Sequence, residues 1–340
     1  MNPPLKRLLT KLGPFLGLIL VVALFSLPAE MREVFPTYGN FRFIFIQTVI
    51  VAVSALGMTL IIVSGGIDLS VGSSIALTSV VGASLIQRGW GPAGVLLVCV
   101  LSGGIVGLVN GVAIAGLRVI PFIITLGTLG IARGSAKRLA GNQTVNYDRS
   151  AGINTWMNTP TFSIAGDGPA WMPDFLVRFL QFVGSLPVGV WIAVVLAVMT
   201  SLLLRRTVFG RHVFALGSNE TTARLCGIPT TRLKVMIYAL AGGFFGIAGL
   251  LQLSRLGQGD PTAAVGLELD IIAAVIIGGA SLSGGVGTIL GSIIGALIMA
   301  VLRNGSQQMG WGTELQEIII GVVIIVAVFL DRLRQGKANS

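Results

Sequence analysis

IIVSGGIDLSVGSS, residues 61–74, is the stretch that decides the fold. Apolar residues flank it on both sides. Between them sit Gly65, Gly66, one carboxyl group (Asp68) and several serines. An apolar run that stops at a glycine pair and restarts within a few residues reads as a helix, a tight turn and a second helix. Gly65 and Gly66 end the first helix, because glycine turns the chain where a Cβ would clash.

The rest of the chain repeats this grammar. Its 340 residues are 54% hydrophobic and 11% charged, with a mean hydropathy of +0.89. A soluble domain carries about 25% charged residues. At about 20 apolar residues per crossing, this length holds about ten helical spans. A membrane barrel would alternate polar and apolar residues in short segments. The runs here are continuous, so the class is an all-α polytopic membrane protein, read as a single domain over 1–340.

Ten spans are expected at 12–28, 43–64, 69–87, 93–117, 119–138, 186–204, 233–253, 267–281, 286–303 and 315–331. The eighth is short and carries Asp270 near its start, so it reads as a broken or partial crossing. Lys6, Arg7 and Lys11 precede the first run, and no A-x-A site follows it. It reads as an uncleaved span. The net charge is +10. The basic residues lie mainly between apolar runs, which points to topology rather than nucleic acid. Six of them fall in 205–234, so both termini and that loop are assigned to the cytoplasm. Residues 139–185 then form a long external loop with Tyr147, Trp156 and Trp171, either an interfacial aromatic belt or a docking surface. Cys99 and Cys226 have no C-x-x-C spacing and read as free thiols.

The opening stretch has a relative. GGIDLSVG (65–72) and GGASLSGG (278–285) share five of eight positions at an offset of 213. Internal repeats mark transporter folds, so two repeated halves are expected. A five-plus-five chain gives halves of opposite orientation, whereas this match pairs spans of the same orientation. The repeat is open as parallel or inverted. Gly103, Gly107 and Gly111, and again Gly287, Gly291 and Gly295, recur every four residues. Each trio gives one helix face that lets a second backbone approach, which puts spans four and nine in the interior.

The chain has no engine of its own. G-x-x-x-x-G-K-[ST] and H-E-x-x-H are absent, and His212 is the one histidine. No metal site and no catalytic residue is expected. Asp68, Glu268, Asp270, Glu314 and Glu317 all read as span-end residues. Mid-span polar residues are neutral, and Gln47, Ser54, Asn110, Thr125, Thr128 and Gln252 are the candidates for a solute path. Hydroxyls and amides suit an uncharged, hydroxylated solute, and they equally serve helix–helix hydrogen bonds.

A motor can attach at 205–234. Asn219 or Ser218 can cap a short helix, Gly227 can end it, and Pro229 follows. Ala223, Leu225 and Ile228 are its apolar knobs, and Glu220 and Arg224 are spaced for an i, i+4 pair.

GGIDLSVGS (65–73), ALGSNETTARLCGI (215–228) and LELDIIAAVIIGGASLSGGVGT (267–288) together resemble the permease subunits of bacterial ATP-binding-cassette importers for monosaccharides, the ribose and xylose type. The resemblance runs from about residue 40 to 331. It implies a multi-pass subunit of the inner membrane that pairs with a second permease copy, identical or not. It also implies a cytoplasmic ATPase that holds the ATP and Mg, a periplasmic sugar-binding protein, and lipid around the spans. No nucleic acid and no cofactor of this chain's own are implied. Carried over residue by residue, 215–228 is similar to the family's coupling loop, with Asn219, Glu220, Ala223, Arg224, Gly227 and Ile228 as contacts to the ATPase. The length of 139–185 departs from the plainest members.

Asp68 has two roles to choose from. It is a proton or ion site, or it caps the third span, where a carboxyl group meets free backbone N–H groups and the positive end of the dipole. Its expected place near the membrane surface, and Ser281 at the matching point of the repeat, favour the cap. A stand-alone transporter or facilitator of a small polar solute is the alternative to the importer.

Overall fold

The computed structural model describes residues 3–148, 152–162 and 173–336. Each of the ten apolar runs contains a helix. The long helices are α1 (Pro3–Ser26), α2 (Tyr38–Val63), α3 (Val71–Gln87), α4 (Pro92–Leu117) and α5 (Pro121–Leu139). A two-residue strand β1 (Val145–Asn146), α6 (Thr155–Asn158) and α7 (Asp174–Ser185) follow. Then come α8 (Val188–Arg206), α9 (Val208–Ser218), α10 (Glu220–Leu225) and α11 (Thr230–Leu256). The strand β2 (Gln258–Gly259) precedes α12 (Leu267–Ile277), α13 (Ile289–Gln308) and α14 (Thr313–Gly336). Among the described residues, five helices are long and apolar enough to cross a membrane: α2, α4, α8, α11 and α13. Leu12–Ser26 and α3 are shorter apolar helices.

Local chemistry sets the ends. Thr37 caps α2 and Thr288 caps α13, each hydroxyl accepting from the N–H three residues on, Asn40 and Gly291. Pro92 and Pro121 open α4 and α5, where no N–H is needed. The α2 residues Val49–Val63 are buried on every side, which matches a sequence apolar all round rather than on one face.

Helix α2 sits at the centre, against α11, α13, α12 and α8. The most extensive helix pair is α4 on α11. Its seam is glycine against glycine. A methyl group at Gly103 or Gly107 would run into the α11 backbone at Gly242, Gly246 or Tyr238. The Gly242 and Gly246 half of the seam was not read from the sequence. Helix α4 itself is not interior, as the trio suggested. Leu101, Ile105, Val109 and Val112 on its other face are exposed. The second trio is not one helix face. Gly287 precedes α13, while Gly291 and Gly295 meet Gly278 and Ala274 at the α12 side.

Helix α12 is short for an apolar run. At about 1.5 Å per residue, the 11-residue α12 reaches about 16 Å, roughly half an apolar layer of about 30 Å. The eighth run is thus a half-length helix, and its first turn is partly buried in the bundle. Asp270, expected at a span end, is buried there.

The described residues around 145–158 are folded onto the bundle. β1 pairs antiparallel with β2, Val145 opposite Gly259. Tyr147 and Ile153 pack with Val95, Leu250 and Leu253, and Trp156 packs beside them. Neither aromatic is a free belt residue. Met157 N donates to Ser254 Oγ at 3.0 Å, and Asn158 Nδ2 to the Ser254 carbonyl at 2.7 Å. Trp171 lies outside the described residues.

Candidate functional site

Three chain segments meet at one end of the bundle. The first is the end of α2. Gly65 N donates to the Ile62 carbonyl and Gly66 N to the Ile61 carbonyl, with Gly65 at φ +85°. This is a Schellman ending, in which only glycine takes the left-handed position without strain. The second is the end of α12. Gly279 N donates to Ile276 and Ala280 N to Val275, with Gly279 at φ +91°. The two endings are the same device, but Gly65 corresponds to Gly279, one residue off the sequence match. Past the glycines the sequence register returns: Ser70 N donates to Asp68 Oδ1 and Ser283 N to Ser281 Oγ. The second turn is one residue shorter between glycine and side-chain acceptor.

The third segment is the α9–α10 elbow. Gly285 N donates to the Val63 carbonyl at 2.8 Å, tying the two turns together. Gly217 of α9 lies over that bond, where a methyl group would overlap Val63 O and meet Gly285 N. Gly284 and Gly285, both at positive φ, lie against Gly217 and Ser218 in turn.

Asn219 leaves the helical region at φ −162° and caps α10, its Oδ1 accepting from Thr222 N at 2.8 Å. Gly227, at φ +83°, ends the helix. Its N–H bonds Arg224 O, and Ile228 N bonds Ala223 O. Glu220 pairs with Arg224 at 3.4 Å and with Lys234 of α11 at 2.7 Å. The Lys234 pair, ten residues past Arg224, joins α10 to α11 and was not anticipated. Ala223 is 4% exposed and offers a partner no side-chain surface, because it faces the bundle. Ile228 is half-buried against the core. Leu225 is 84% exposed and is the knob that α10 presents. Beside it runs a groove of about 780 Å³ between the end of α4 and the start of α11, with Arg118, Arg224, Arg232 and Lys234 on its walls.

Asp68 is not a helix cap at a surface. It is fully buried. Ser70, not Asp68, takes the position before α3. Asp68 Oδ1 accepts from Ser70 N at 2.7 Å and Ser70 Oγ at 2.6 Å, an Asx turn. Asn110 Nδ2, on α4, donates to Asp68 Oδ2 at 3.2 Å and Ser70 Oγ at 3.0 Å. Tyr238 of α11 reaches the Ile67 carbonyl at 3.4 Å. The turn is therefore stapled to two helices.

The six path candidates do not line one channel. Asn110 belongs to the Asp68 turn. Thr125 also bonds Ile67 O, at 3.5 Å. Ser54 is fully buried and returns its hydroxyl to Ile50 O, and Thr128 does the same to Ile124 O. Each of these bonds commits the hydroxyl's donor to its own helix and leaves its oxygen able only to accept. Gln252 is half-buried. Gln47 alone of the six lines a small polar cavity.

A family model described as "Branched-chain amino acid transport system / permease component" matches residues 40–328. The ribose import permease protein RbsC of Escherichia coli (strain K12) is 36% identical over 321 residues, 94% of this chain and 94% of that protein. RbsC of Bacillus subtilis (strain 168) is 38% identical over 326 residues, 96% of this chain and 94% of the relative. The L-arabinose ABC transporter permease protein AraH of Azospirillum brasilense is 33% identical over 326 residues, 95% and 89% respectively. No solved structure matches the chain.

Proposed function

Because the chain belongs to the branched-chain amino acid transport system / permease component family, we propose that it is the membrane-spanning subunit of an ATP-binding-cassette importer for a monosaccharide. The relatives' names, ribose and L-arabinose, support a sugar as the cargo. ATP and Mg bind to a separate ATPase, and this chain hydrolyses nothing. A second permease copy completes the pathway, and a periplasmic binding protein delivers the sugar. The subunit crosses the inner membrane ten times with both termini, and 205–234, in the cytoplasm. The six basic residues of that loop support this orientation. Residues 139–185 face outward, within reach of the binding protein.

One observation carries the mechanism. Helix α10 ends in an exposed Leu225, and Gly217 of α9, two residues before its cap, rests on the bond that joins the α2 and α12 endings. A partner gripping α10 therefore acts on both turns at once. The surface set is Asn219, Glu220, Arg224, Gly227 and Leu225, with the basic groove beside it. ATP closes the motor, two α10 helices move together, and the paired bundles open outward. Hydrolysis resets the inward-facing state.

Reconstitution in liposomes tests this. Sugar uptake is expected to need the ATPase, ATP and the binding protein together. Full-rate uptake with the ATPase or ATP omitted overturns the importer and leaves a stand-alone facilitator.

A further inference from the structure

The half-length α12 opens a small polar cavity inside the bundle. It has a volume of about 120 Å³ and is walled by Gln47 of α2, Arg255 of α11, Asp270 of α12, and Arg303 and Gln307 of α13. Four helices thus aim two guanidiniums, a carboxyl group and two carboxamides at one space. Along α2, Gln47 stands 16 residues, about 24 Å, from Val63 and the coupling turns. The cavity lies well away from the α10 end.

Its polar groups are not satisfied by each other. Asp270 is 1% exposed. Arg303 Nη2 lies 2.5 Å from Asp270 Oδ2, an ion pair. Asp270 Oδ1 and Arg303 Nε have no hydrogen-bond partner among the described residues. Arg255 forms no ion pair among the described residues. Asp270 is a buried carboxyl group on an apolar helix, and such a group is expensive and marks a solute or ion route. Unpaired buried acceptors are expensive again. A ligand that brings its own donors and acceptors relieves both costs.

The chemistry of the ligand follows from the inventory. The carboxyl oxygens accept, the guanidiniums donate, and each carboxamide does both. Neighbouring hydroxyl groups, each donor and acceptor, match that mixture. The volume is well below that of a drug-sized pocket and on the scale of a small ring. We infer that the Gln47–Arg255–Asp270–Arg303–Gln307 cavity is a transient binding site for the sugar inside each permease subunit. The inference rests on the importer reading above and specifies where the cargo pauses. It differs from a purely structural ion pair, which would need neither glutamine and would leave no space.

The test uses the complete importer in proteoliposomes, with radiolabelled D-ribose and L-arabinose as probes. Uptake per ATP hydrolysed is measured for wild type, Gln47→Leu, Gln307→Leu and Asp270→Asn. Each glutamine variant is expected to lower uptake per ATP several-fold, up to about tenfold, for the loss of hydrogen bonds to the sugar. The ATPase rate stimulated by loaded binding protein should stay at the wild-type level, because α10 is untouched. The ratio of ribose to arabinose uptake should change, since the two sugars present their hydroxyls differently. Asp270→Asn should behave alike; if it fails to assemble, the glutamine variants decide. Unchanged uptake per ATP in both glutamine variants overturns the site. An equal fall for both sugars also overturns it, because that marks a structural role. ATP-independent uptake by wild type overturns the importer reading instead, and the same variants' loss of uptake then still reads the site.

Discussion

The Asp68 turn makes the sharpest prediction. Asn110 Nδ2 donates to both Asp68 Oδ2 and Ser70 Oγ inside a fully buried cluster. Asn110→Ala removes both bonds and leaves Asp68 Oδ2 without a donor. A lost hydrogen bond costs about 1 kcal/mol, and a stranded buried acceptor about 1–3 kcal/mol. Together the substitution costs about 3 kcal/mol. At about 2.1 cal/mol/K per residue the unfolding entropy of the 340-residue chain is about 0.7 kcal/mol/K, so Tm should fall by about 4 °C. Asp68→Asn should behave differently. Asn110 Oδ1 is buried without a partner, so a flipped Asn110 amide can accept from the new carboxamide. That variant should keep most transport and lose about 1 kcal/mol. The assay is thermal unfolding of the purified permease in detergent, paired with ATP-driven uptake in proteoliposomes. The reasoning fails if Asn110→Ala melts with wild type, or if Asp68→Asn abolishes uptake while its Tm is unchanged. The second result would make Asp68 a proton or ion site after all.

Leu225→Ser should leave Tm unchanged, since the side chain is mostly solvent-exposed, and should cut ATP-driven uptake about tenfold by removing an apolar anchor, as read by transport and co-purification of the ATPase. Gly217→Val should disrupt uptake more than Gly210-distal surface changes such as Arg211→Ala, because a branched side chain pushes α9 off the Val63–Gly285 bond; paired Tm and uptake measurements check this. Gly107→Leu should prevent α4 from seating on α11 and lower the yield of folded permease on size-exclusion chromatography, whereas Gly116→Leu, in open space, should not. Glu220→Gln should cost at most about 1 kcal/mol, because both of its ion pairs are partly exposed, with thermal unfolding as the measure.

Part of this protein was legible because it is local. Length, continuous apolar runs and punctuating glycines determined a nearly all-α membrane chain with several long apolar helices. Helix α10 was legible because its cap and its stop are local: Asn219 reaches Thr222, and Gly227 reaches Arg224. The Gly65 ending was legible for the same reason, since a Schellman turn spans only six residues. Two of the site residues take their setting from partners far along the chain. Asn110 looked like a path residue because its partner Asp68 is 42 positions away. Ala223 looked like a contact because a hexapeptide helix has no visible inner face until α9 and α11 pack on it.

The tertiary structure alone decided three things. It joined the two repeated turns through Gly285 and Val63, and set Gly217 on that bond. It shifted the repeat by one residue at the glycines, because backbone hydrogen bonds, not residue identity, choose where a helix ends. It also brought Gln47, Arg255, Asp270, Arg303 and Gln307 from four helices to one cavity. A sequence encodes each helix end by short-range hydrogen bonding, which a few adjacent residues can specify. Which faces then meet depends on the close approach of glycines on separate helices, and that is a property of the packed bundle.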